Sequence, residues 1–396
     1  MNQYLSRRHN SDLQKSRSII FCDKIVKSLG LILLFGLLFG AIPESRASEN
    51  LTISDKDLLA MQHNRNHVFH TYEAEVLAIE ILGLNANNSD ENAIQTKELV
   101  DIKRNEILNL TKYDSLGHVG WGISKPWDAF SDGTSNDDST AYTFTTILIS
   151  LAFLESYISF GDETYLNLTN QSLAFISNNF CCSFKGESSY LYYSDNVNDR
   201  RKEFIVSNVN ALFLRLVSNH LIISLNSEKN TDHVAFENGI IHEIEIAKKR
   251  TLNGYLFYSS GDKSPLNDLT HQLLTLYGLQ GNSNSNIKTY ANNTLKRIFD
   301  SYSIKGKIIL NSKSDLGSIG SGSSLLLLLI SQSNNCDRGS DLYKSILNSL
   351  LGSVLIGSRD TEHPLYRGLS PMADRLIAWK YFAVTSYRKS CRNFLK

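Results

Sequence analysis

The stretch from Tyr113 to Tyr142 concentrates the residues of this 396-residue chain that could do chemistry. Two of the three tryptophans, Trp121 and Trp127, lie in it, and indole rings offer flat apolar faces that stack on sugar rings. The stretch therefore predicts a binding or catalytic loop, although tryptophans filling a helix layer and acids capping turns would give the same pattern. Its candidate catalytic residues, which could transfer a proton, are His118, Asp128, Asp132 and Tyr142.

A second group of polar residues lies at the starts of predicted apolar helices or in the segments that precede them. His271 falls between Leu269 and Leu273, where a hydrogen-bonded core histidine is the commoner outcome. Asn208 and Asn210 face either a cleft or solvent. If the segments before these helices lie at the same end of the fold, their residues come close to the stretch from Tyr113 to Tyr142. We therefore add His271 to the catalytic candidates. The predicted substrate-binding residues are Trp121, Trp127, Tyr193, Asn208, Asn210, Tyr366 and Arg367.

The elements that would position these residues are helices in pairs. Ile147, Leu151 and Leu154 share one face of a predicted helix that ends at Gly161. Similar stripes contain Val209 to Leu216 and Leu266 to Leu274. The other predicted helices cover about 55–84, 92–112, 163–179, 231–250, 284–301, 321–333, 339–357 and 370–388. The total is eleven helices.

Short extended connectors separate the helix pairs and resemble one another. Gly120-Trp121-Gly122-Ile123-Ser124 can be compared with Tyr190-Leu191-Tyr192-Tyr193-Ser194 and with Tyr255-Leu256-Phe257-Tyr258-Ser259. Two later segments, ending at Ser312 and Ser370, complete the series, and the five serines are spaced by 70, 65, 53 and 58 residues. Open helical solenoids have a shorter period of roughly 34–47 residues. The longer, irregular period favours a closed ring of helical hairpins.

The chain resembles the (α/α) toroid proteins, which include the six-hairpin glycosidases, several toroidal polysaccharide lyases and uronate epimerases. The resemblance is architectural and covers nearly all of the chain from about residue 50 to residue 390. It implies an all-α fold, an (α/α) toroid of five to six hairpins with short extended connectors, formed by residues 48–396 as a single domain. Eleven predicted helices are one short of six hairpins.

The resemblance implies a carbohydrate-active protein but leaves the reaction open. A glycoside hydrolase needs two carboxylates, and the connectors contain few glutamates, only Glu187 and Glu362. Elimination or epimerisation beside a uronate carboxyl can instead use a tyrosine or histidine base. The expected partner is a polysaccharide or oligosaccharide. The alternatives are a non-catalytic polysaccharide-binding or envelope-polysaccharide accessory protein, and a helical array for protein interaction.

No cofactor and no metal are expected. The cysteines include no C-x-x-C pair and have no histidine at zinc-ligand spacing. His63, His67 and His70 share one face of the first predicted helix, but no carboxylate accompanies them. Lys and Arg balance Asp and Glu at 40 each, which excludes a strongly basic nucleic-acid-binding protein.

The N-terminal 47 residues resemble an export signal. Basic residues precede an apolar run from Leu29 to Ile42, and Ser45-Arg46-Ala47 provides a small-residue cleavage site. We predict a signal peptide or an uncleaved signal anchor over residues 1–47, and a secreted or periplasmic protein that contacts a membrane only through such an anchor. The remaining cysteines, Cys181, Cys182, Cys336 and Cys391, allow three pairings; bridging Cys336 to Cys391 leaves the adjacent pair as possible buried thiols.

Overall fold

The chain divides into two units, Met1–Ser54 and Asp55–Lys396, and every element below belongs to the second. A computed structural model describes residues 54–63, 72–126, 135–181, 183–185, 188–199, 205–224, 231–249, 256, 258–259, 269–304, 307–308, 319–333, 335–357 and 373–395.

Helices dominate the described ranges. The first six are α1 Asp55–His63, α2 Glu73–Asn87, α3 Ala93–Leu108, α4 Thr143–Phe160, α5 Glu163–Phe175 and α6 Ser207–Ser224. The next six are α7 Thr231–Lys249, α8 Leu269–Gln280, α9 Ser285–Tyr302, α10 Ile319–Gln332, α11 Cys336–Gly357 and α12 Ala373–Ser390. A π-helical turn, Ile176–Phe180, extends α5, and a short 3-10 helix, Arg392–Phe394, follows α12.

Six of these helices form a closed inner ring. The helices α2, α4, α6, α8, α10 and α12 pack on one another in that order, and α12 packs back on α2. Each of α3, α5, α7, α9 and α11 packs on the inner helix that precedes it in the chain. The chain is therefore an (α/α) toroid, as the sequence predicts. Gly278 of α8 brings α8 against α6, because a Cβ there would lie 2.3 Å from the backbone of Ala211.

The predicted single helix over residues 55–84 is wrong. Tyr72 has non-helical backbone angles, φ −110° and ψ 28°, and α2 begins after it. The short helix α1 is separate: the Asn87 side chain, at the end of α2, donates to the Asp55 carbonyl at 3.1 Å. Asp55 also pairs with Arg388 of α12 at 3.0 Å. Helix α1 is thus a twelfth helix, which the predicted count lacks, and its first residue lies beside the ends of α2 and α12.

Short strands lead from the outer helices into the connectors. Lys112–Tyr113 (β1) pairs with Val119–Gly120 (β2), Ser183–Lys185 (β3) with Ser188–Tyr190 (β4), and Ser303–Ile304 (β5) with Lys307–Ile308 (β6), all antiparallel. An isolated bridge pairs Gly122 with Ala141 within the connector that enters α4, and two more bridges join successive connectors, Tyr142 to Ser194 and Val206 to Ser259. The connectors that enter α4, α6 and α8 therefore lie side by side at one end of the ring.

A repeated hydrogen bond fixes each of these connectors to the helix that it enters. The fourth residue of α4, Thr146, bonds through its hydroxyl to both the N–H and the carbonyl of Trp121. The fourth residue of α6, Asn210, accepts from the Leu191 N–H at 3.0 Å, and that of α8, Gln272, accepts from the Leu256 N–H at 3.1 Å. Trp121, Leu191 and Leu256 each lie three residues before an aligned serine, so the sequence repeat is also a structural repeat.

The core of the ring is apolar almost throughout. Helix α4 is long and apolar enough to span a membrane by those criteria alone, but 72% of it is buried inside the protein. It ends at Gly161, whose φ of 67° is left-handed, a conformation that glycine adopts without strain. Asp162 then caps α5 by accepting from the Thr164 N–H at 3.0 Å.

A disulfide joins the start of α11 to the residue after α12. Cys336 and Cys391 are bonded with their Cα atoms 5.5 Å apart, which confirms the pairing considered from the sequence. Cys181 is also disulfide-bonded, so the interpretation of this cysteine as a buried thiol is wrong. Its partner lies outside the described residues.

Candidate active site

The starts of three inner helices meet through one buried ion pair. Glu75, Thr145 and Arg375 are the third residues of α2, α4 and α12. Glu75 Oε1 accepts from the Thr145 hydroxyl at 2.9 Å, and Glu75 Oε2 lies 3.2 Å from Arg375 Nε. The second contact is an ion pair by distance without hydrogen-bond geometry. The Glu75 side chain is only 5% exposed and that of Arg375 17%, so the two charges lie in a largely dry environment.

Several buried polar atoms at this end of the ring have unused hydrogen-bonding capacity. Glu75 Oε2, Arg375 Nε, Asn208 Oδ1 and Thr270 Oγ1 are buried without a hydrogen-bond partner in the described part of the chain. Asn208 and Thr270 are the second residues of α6 and α8, so all four atoms lie at helix starts. Buried polar atoms are nearly always hydrogen-bonded. A group of unsatisfied donors and acceptors at one end of a ring suits a ligand rich in hydroxyl groups.

Two aromatic rings lie beside the Glu75–Arg375 ion pair, which together with Asn208 and Thr270 is called the polar centre below. The Arg375 guanidinium lies 5.5 Å from the Tyr72 ring and 5.4 Å from the Phe144 ring. Burial raises the pKa of the Tyr72 phenol; Arg375 lowers it and Glu75 raises it. Aromatic faces beside unsatisfied polar atoms are the usual composition of a small-molecule site.

Tyr193 connects the polar centre to the connectors. Its side chain is buried, which raises the pKa of its phenol well above the ordinary value, with further effects from Tyr258, Glu75 and Tyr142. The Tyr193 and Tyr142 rings meet edge to face at 5.9 Å. Tyr258 meets His271 in the same way at 4.9 Å. The structure therefore brings together three residues predicted from the sequence, Tyr142, Tyr193 and His271, around aromatic contacts.

Aspartates gather around the Tyr142 phenol. Burial raises the pKa of Tyr142 to about 12, and the negative charges of Asp199, Asp137 and Asp195 act in the same direction. Asp195 accepts from the Ala141 N–H at 2.9 Å. A phenol with a raised pKa stays protonated at neutral pH. The sequence-based role of Tyr142 as a base is therefore not supported by its surroundings, which keep the phenol neutral.

Asp137 is the most exposed of these carboxylates. Its Oδ1 accepts from the Ser139 N–H at 3.1 Å and from the Thr140 hydroxyl at 3.1 Å, and the Ser139 hydroxyl donates to the same oxygen. The hydrogen bonds from the two hydroxyls lower the pKa of Asp137, so it is ionised at neutral pH. The neighbouring Asp138 is also exposed, and its carbonyl accepts from Lys112 of β1.

His118 belongs to a different cluster. Its Nδ1 lies 3.0 Å from Asp114 Oδ2 and 3.1 Å from Asn178 Nδ2. Burial opposes ionisation of Asp114, but hydrogen bonds, first from the backbone and ring of His118, hold the pKa of Asp114 well below its usual range. These contacts tie the turn between β1 and β2 to the end of α5. None of the hydrogen bonds that His118 makes to described residues reaches Tyr142 or His271. Its bonds to Asp114 and Asn178 hold the turn in place, so the role of His118 is structural.

Two predicted substrate-binding residues are structural. Trp121 is fully buried; its indole N–H donates to the Ile107 carbonyl at 3.1 Å and its ring meets Phe153 edge to face. No face of this ring is open to a sugar, so its predicted stacking role is wrong. Asn210 accepts from Leu191 and donates to the Val206 carbonyl at 3.0 Å, so its side chain holds a connector.

The remaining predicted site residues lie outside the described residues: Trp127, Asp128, Asp132, Tyr366 and Arg367. The same is true of His67 and His70. In the ranges that the structure describes, no three His, Cys, Asp or Glu side chains are grouped as a metal site requires.

Sequence reasoning missed Glu75, Arg375 and Asp137 as site residues. Glu75 carries a readable signal, because it is an acidic residue on the same helical face as the apolar Ala78, Ile79 and Leu82. Asp137 and Asp138 form the only pair of adjacent aspartates in the sequence, a second signal that was available.

No protein-family model matches the chain, and no curated protein matches it. Several solved structures, in contrast, match the chain in fold. A family 76 alpha-mannanase from Bacteroides thetaiotaomicron superposes with a TM-score of 0.57 at 10% identity, over 85% of this chain and 96% of that one. Together with the closed ring of helices, this similarity defines the class: the chain has the six-hairpin, glycosidase-like (α/α) toroid fold.

Two further structures share that fold. A sugar epimerase from a ruminal bacterium matches with a TM-score of 0.51 at 12% identity, over 77% of this chain and 85% of that one. An alpha-1,6-mannanase from Salegentibacter sp. matches with a TM-score of 0.50 at 10% identity, over 84% of this chain and 99% of that one. The latter is an inactive variant, with two consecutive aspartates replaced by alanine, in complex with alpha-1,6-mannotetrose.

Proposed function

We propose that the protein is a carbohydrate-active enzyme whose substrate is a polysaccharide or oligosaccharide bound where the inner helices begin. The observation that carries this proposal is the set of buried polar atoms of Glu75, Arg375, Asn208 and Thr270 at that end, which have no hydrogen-bond partner among the described residues. Sugar hydroxyls both donate and accept hydrogen bonds, so one sugar unit could satisfy several of these atoms. The rings of Tyr72 and Phe144 would supply stacking area beside them.

Glycoside hydrolysis is the reaction that the aspartates favour. Asp137 is ionised and exposed, and its Oδ1 takes three hydrogen bonds, so Oδ2 is left to face a substrate. Hydrolysis uses one ionised carboxylate as a nucleophile or base and one carboxylic acid as a proton donor. We assign the first role to Asp137. Support comes from the Salegentibacter mannanase, which is inactive without two consecutive aspartates.

The first test identifies the products. The full chain is incubated with alpha-1,6-mannan and with a polyuronate, and both reducing ends and unsaturated-uronate absorbance are followed. We expect reducing ends from the mannan and no ultraviolet product from either polymer. New absorbance from the polyuronate, which elimination produces together with a reducing end, would contradict hydrolysis while leaving a carbohydrate-active enzyme. Saccharide binding without either product would contradict hydrolysis and leave epimerisation and the accessory-protein alternative.

Epimerisation is the second candidate, and the contact of His271 with Tyr258 favours it. An imidazole is an ordinary base for proton abstraction next to a carbonyl, and a sugar epimerase is among the similar folds. The raised pKa of Tyr142 and Tyr193 counts against either tyrosine as its partner base. We therefore rank epimerisation below hydrolysis.

We also propose that the chain is exported, as a secreted or periplasmic protein. Disulfides persist mainly in oxidising compartments, and the bonded Cys336 and Cys391 support this location. We expect N-terminal sequencing of the mature protein to begin near Ser48. A mature product that retains Leu29–Ile42 would contradict cleavage and establish a membrane anchor.

A further inference from the structure

A cleft of about 950 Å³ lies at the other end of the inner helices. Its lining includes Gln280 and Gln332, the last residues of α8 and α10. Because an α-helix rises 1.5 Å per residue, the twelve residues of α8 place this cleft roughly 18 Å from the start of that helix. The cleft is therefore distinct from the proposed glycan site.

The charge in this cleft has one sign. Four cationic side chains line it, those of Arg215, Lys288, Lys296 and Arg338, and its described lining contains no aspartate or glutamate. In the described ranges no ion pair involves Lys288, Lys296 or Arg338. Glu155 is close enough to affect the Tyr277 phenol, yet it is not part of the described lining. Clefts lined by one sign of charge concentrate ligands of the opposite sign.

Arg215 is held in place before any ligand binds. Its guanidinium lies 4.0 Å from the Tyr277 ring, and Nη1 donates to the Tyr277 carbonyl at 3.0 Å and to Gln332 Oε1 at 3.3 Å. Gly281 packs so closely that a Cβ there would lie 2.5 Å from Arg215 Cγ. Arg215 Nε is buried and has no hydrogen-bond partner in the described part of the chain, so one donor stays unused.

Helix ends alone do not account for this concentration of charge. The carbonyl ends of α8 and α10 attract positive charge, and Arg215 already donates to a carbonyl there. Lys288 and Arg338 instead lie in the first turns of α9 and α11, where the helix dipole disfavours cations and favours anions. A bound anion would offset both the dipoles and the repulsion among the cations.

We propose that this cleft is a second binding site, which takes a small sugar bearing phosphate or carboxylate groups. Arg215, Lys288, Lys296 and Arg338 bind the anionic groups. The amides of Asn292 and Asn293 on the same lining are suited to the hydroxyls. The volume lies within the range of about 300–1,000 Å³ typical of small-ligand sites. This site does not depend on the function proposed for the other end of the ring.

The test is calorimetric titration of the full chain at low salt with inorganic pyrophosphate, trigalacturonate and, as a neutral comparison, maltotriose. We expect saturable binding of pyrophosphate or trigalacturonate and none of maltotriose; which anion binds separates a phosphate from a carboxylate ligand. Replacing both Lys288 and Lys296 with Ala should weaken binding about tenfold or more, since charge-assisted hydrogen bonds are lost. Added salt should weaken binding in the wild type.

The matched control is Lys344→Ala, because Lys344 is an exposed lysine of α11 outside the described lining of the cleft. It should bind the anion as the wild type does. Lys288 and Lys296 are exposed, so the double variant should melt at the wild-type temperature. Absence of anion binding by the folded wild type would overturn the proposal, as would equal weakening by Lys344→Ala.

Discussion

Replacing Asp137 with Asn is expected to reduce turnover of a glycan substrate by about 10²–10⁴, the usual loss when one acid–base group is removed. Hydrogen bonds from Ser139 and Thr140 lower the pKa of Asp137 and so favour its ionised form. An amide keeps its shape but supplies neither the charge nor the lone pair that attacks or activates water. We therefore expect kcat to fall with little change in KM. The measurement is steady-state release of reducing ends.

The matched control for Asp137→Asn is Asp90→Asn, because Asp90 is an exposed aspartate between α2 and α3. It should leave kcat unchanged. Both positions are exposed, so both variants should unfold at the wild-type temperature. A folded Asp137→Asn variant with wild-type turnover would rule out the assignment of the nucleophile or base, while the carbohydrate proposal would stand on the polar centre.

Replacing Glu75 with Leu is expected to lower the free energy of unfolding by about 3–5 kcal/mol, the cost of breaking one side of a buried ion pair. The change leaves the Arg375 charge without a partner in a site where both side chains are mostly buried. It also removes the acceptor of the Thr145 hydroxyl. Urea unfolding measures the loss directly.

A double variant separates the ion pair from simple packing. Adding Arg375→Met to Glu75→Leu removes the stranded charge, so we expect the double variant to recover a large part of the lost stability. Glu98→Leu, at an exposed position of α3, should change stability by less than about 0.5 kcal/mol. Additive losses in the double variant would contradict the charge argument.

The architecture was accessible from the sequence because it repeats. The stripe of Ile147, Leu151 and Leu154 and the aligned serines reflect one local rule, in which a short connector enters a buried helix. The fourth residue of that helix then bonds to the connector three residues before its serine, as in Asn210 and Leu191. Local rules of this kind leave a pattern in the sequence. The separate helix α1 left none, because the turn at Tyr72 contains neither glycine nor proline.

The site was less accessible, because its residues are brought together by the closure of the ring. Glu75 and Arg375 are 300 positions apart in sequence, and nothing local to either residue indicates the other. Trp121 illustrates the opposite error: its residue type suggested a stacking surface, but the Ile107 carbonyl and Phe153 enclose it. Burial of an aromatic side chain depends on packing across elements, which the type of residue does not reveal.

The closure of the ring by α12 has a consequence for synthesis of the chain. Helix α12 contacts elements from the opposite end of the toroid domain, as its packing on α2 and the ion pair of Arg388 with Asp55 show. On the ribosome the five helix pairs from α2–α3 to α10–α11 emerge whole, but α12 is synthesised last. Until then the flanks of α2 and α10 that α12 covers remain exposed. Long-range closure of this kind is slow, and uncovered apolar surface promotes aggregation. The final helix therefore sets the length of the interval during which the nascent chain is vulnerable.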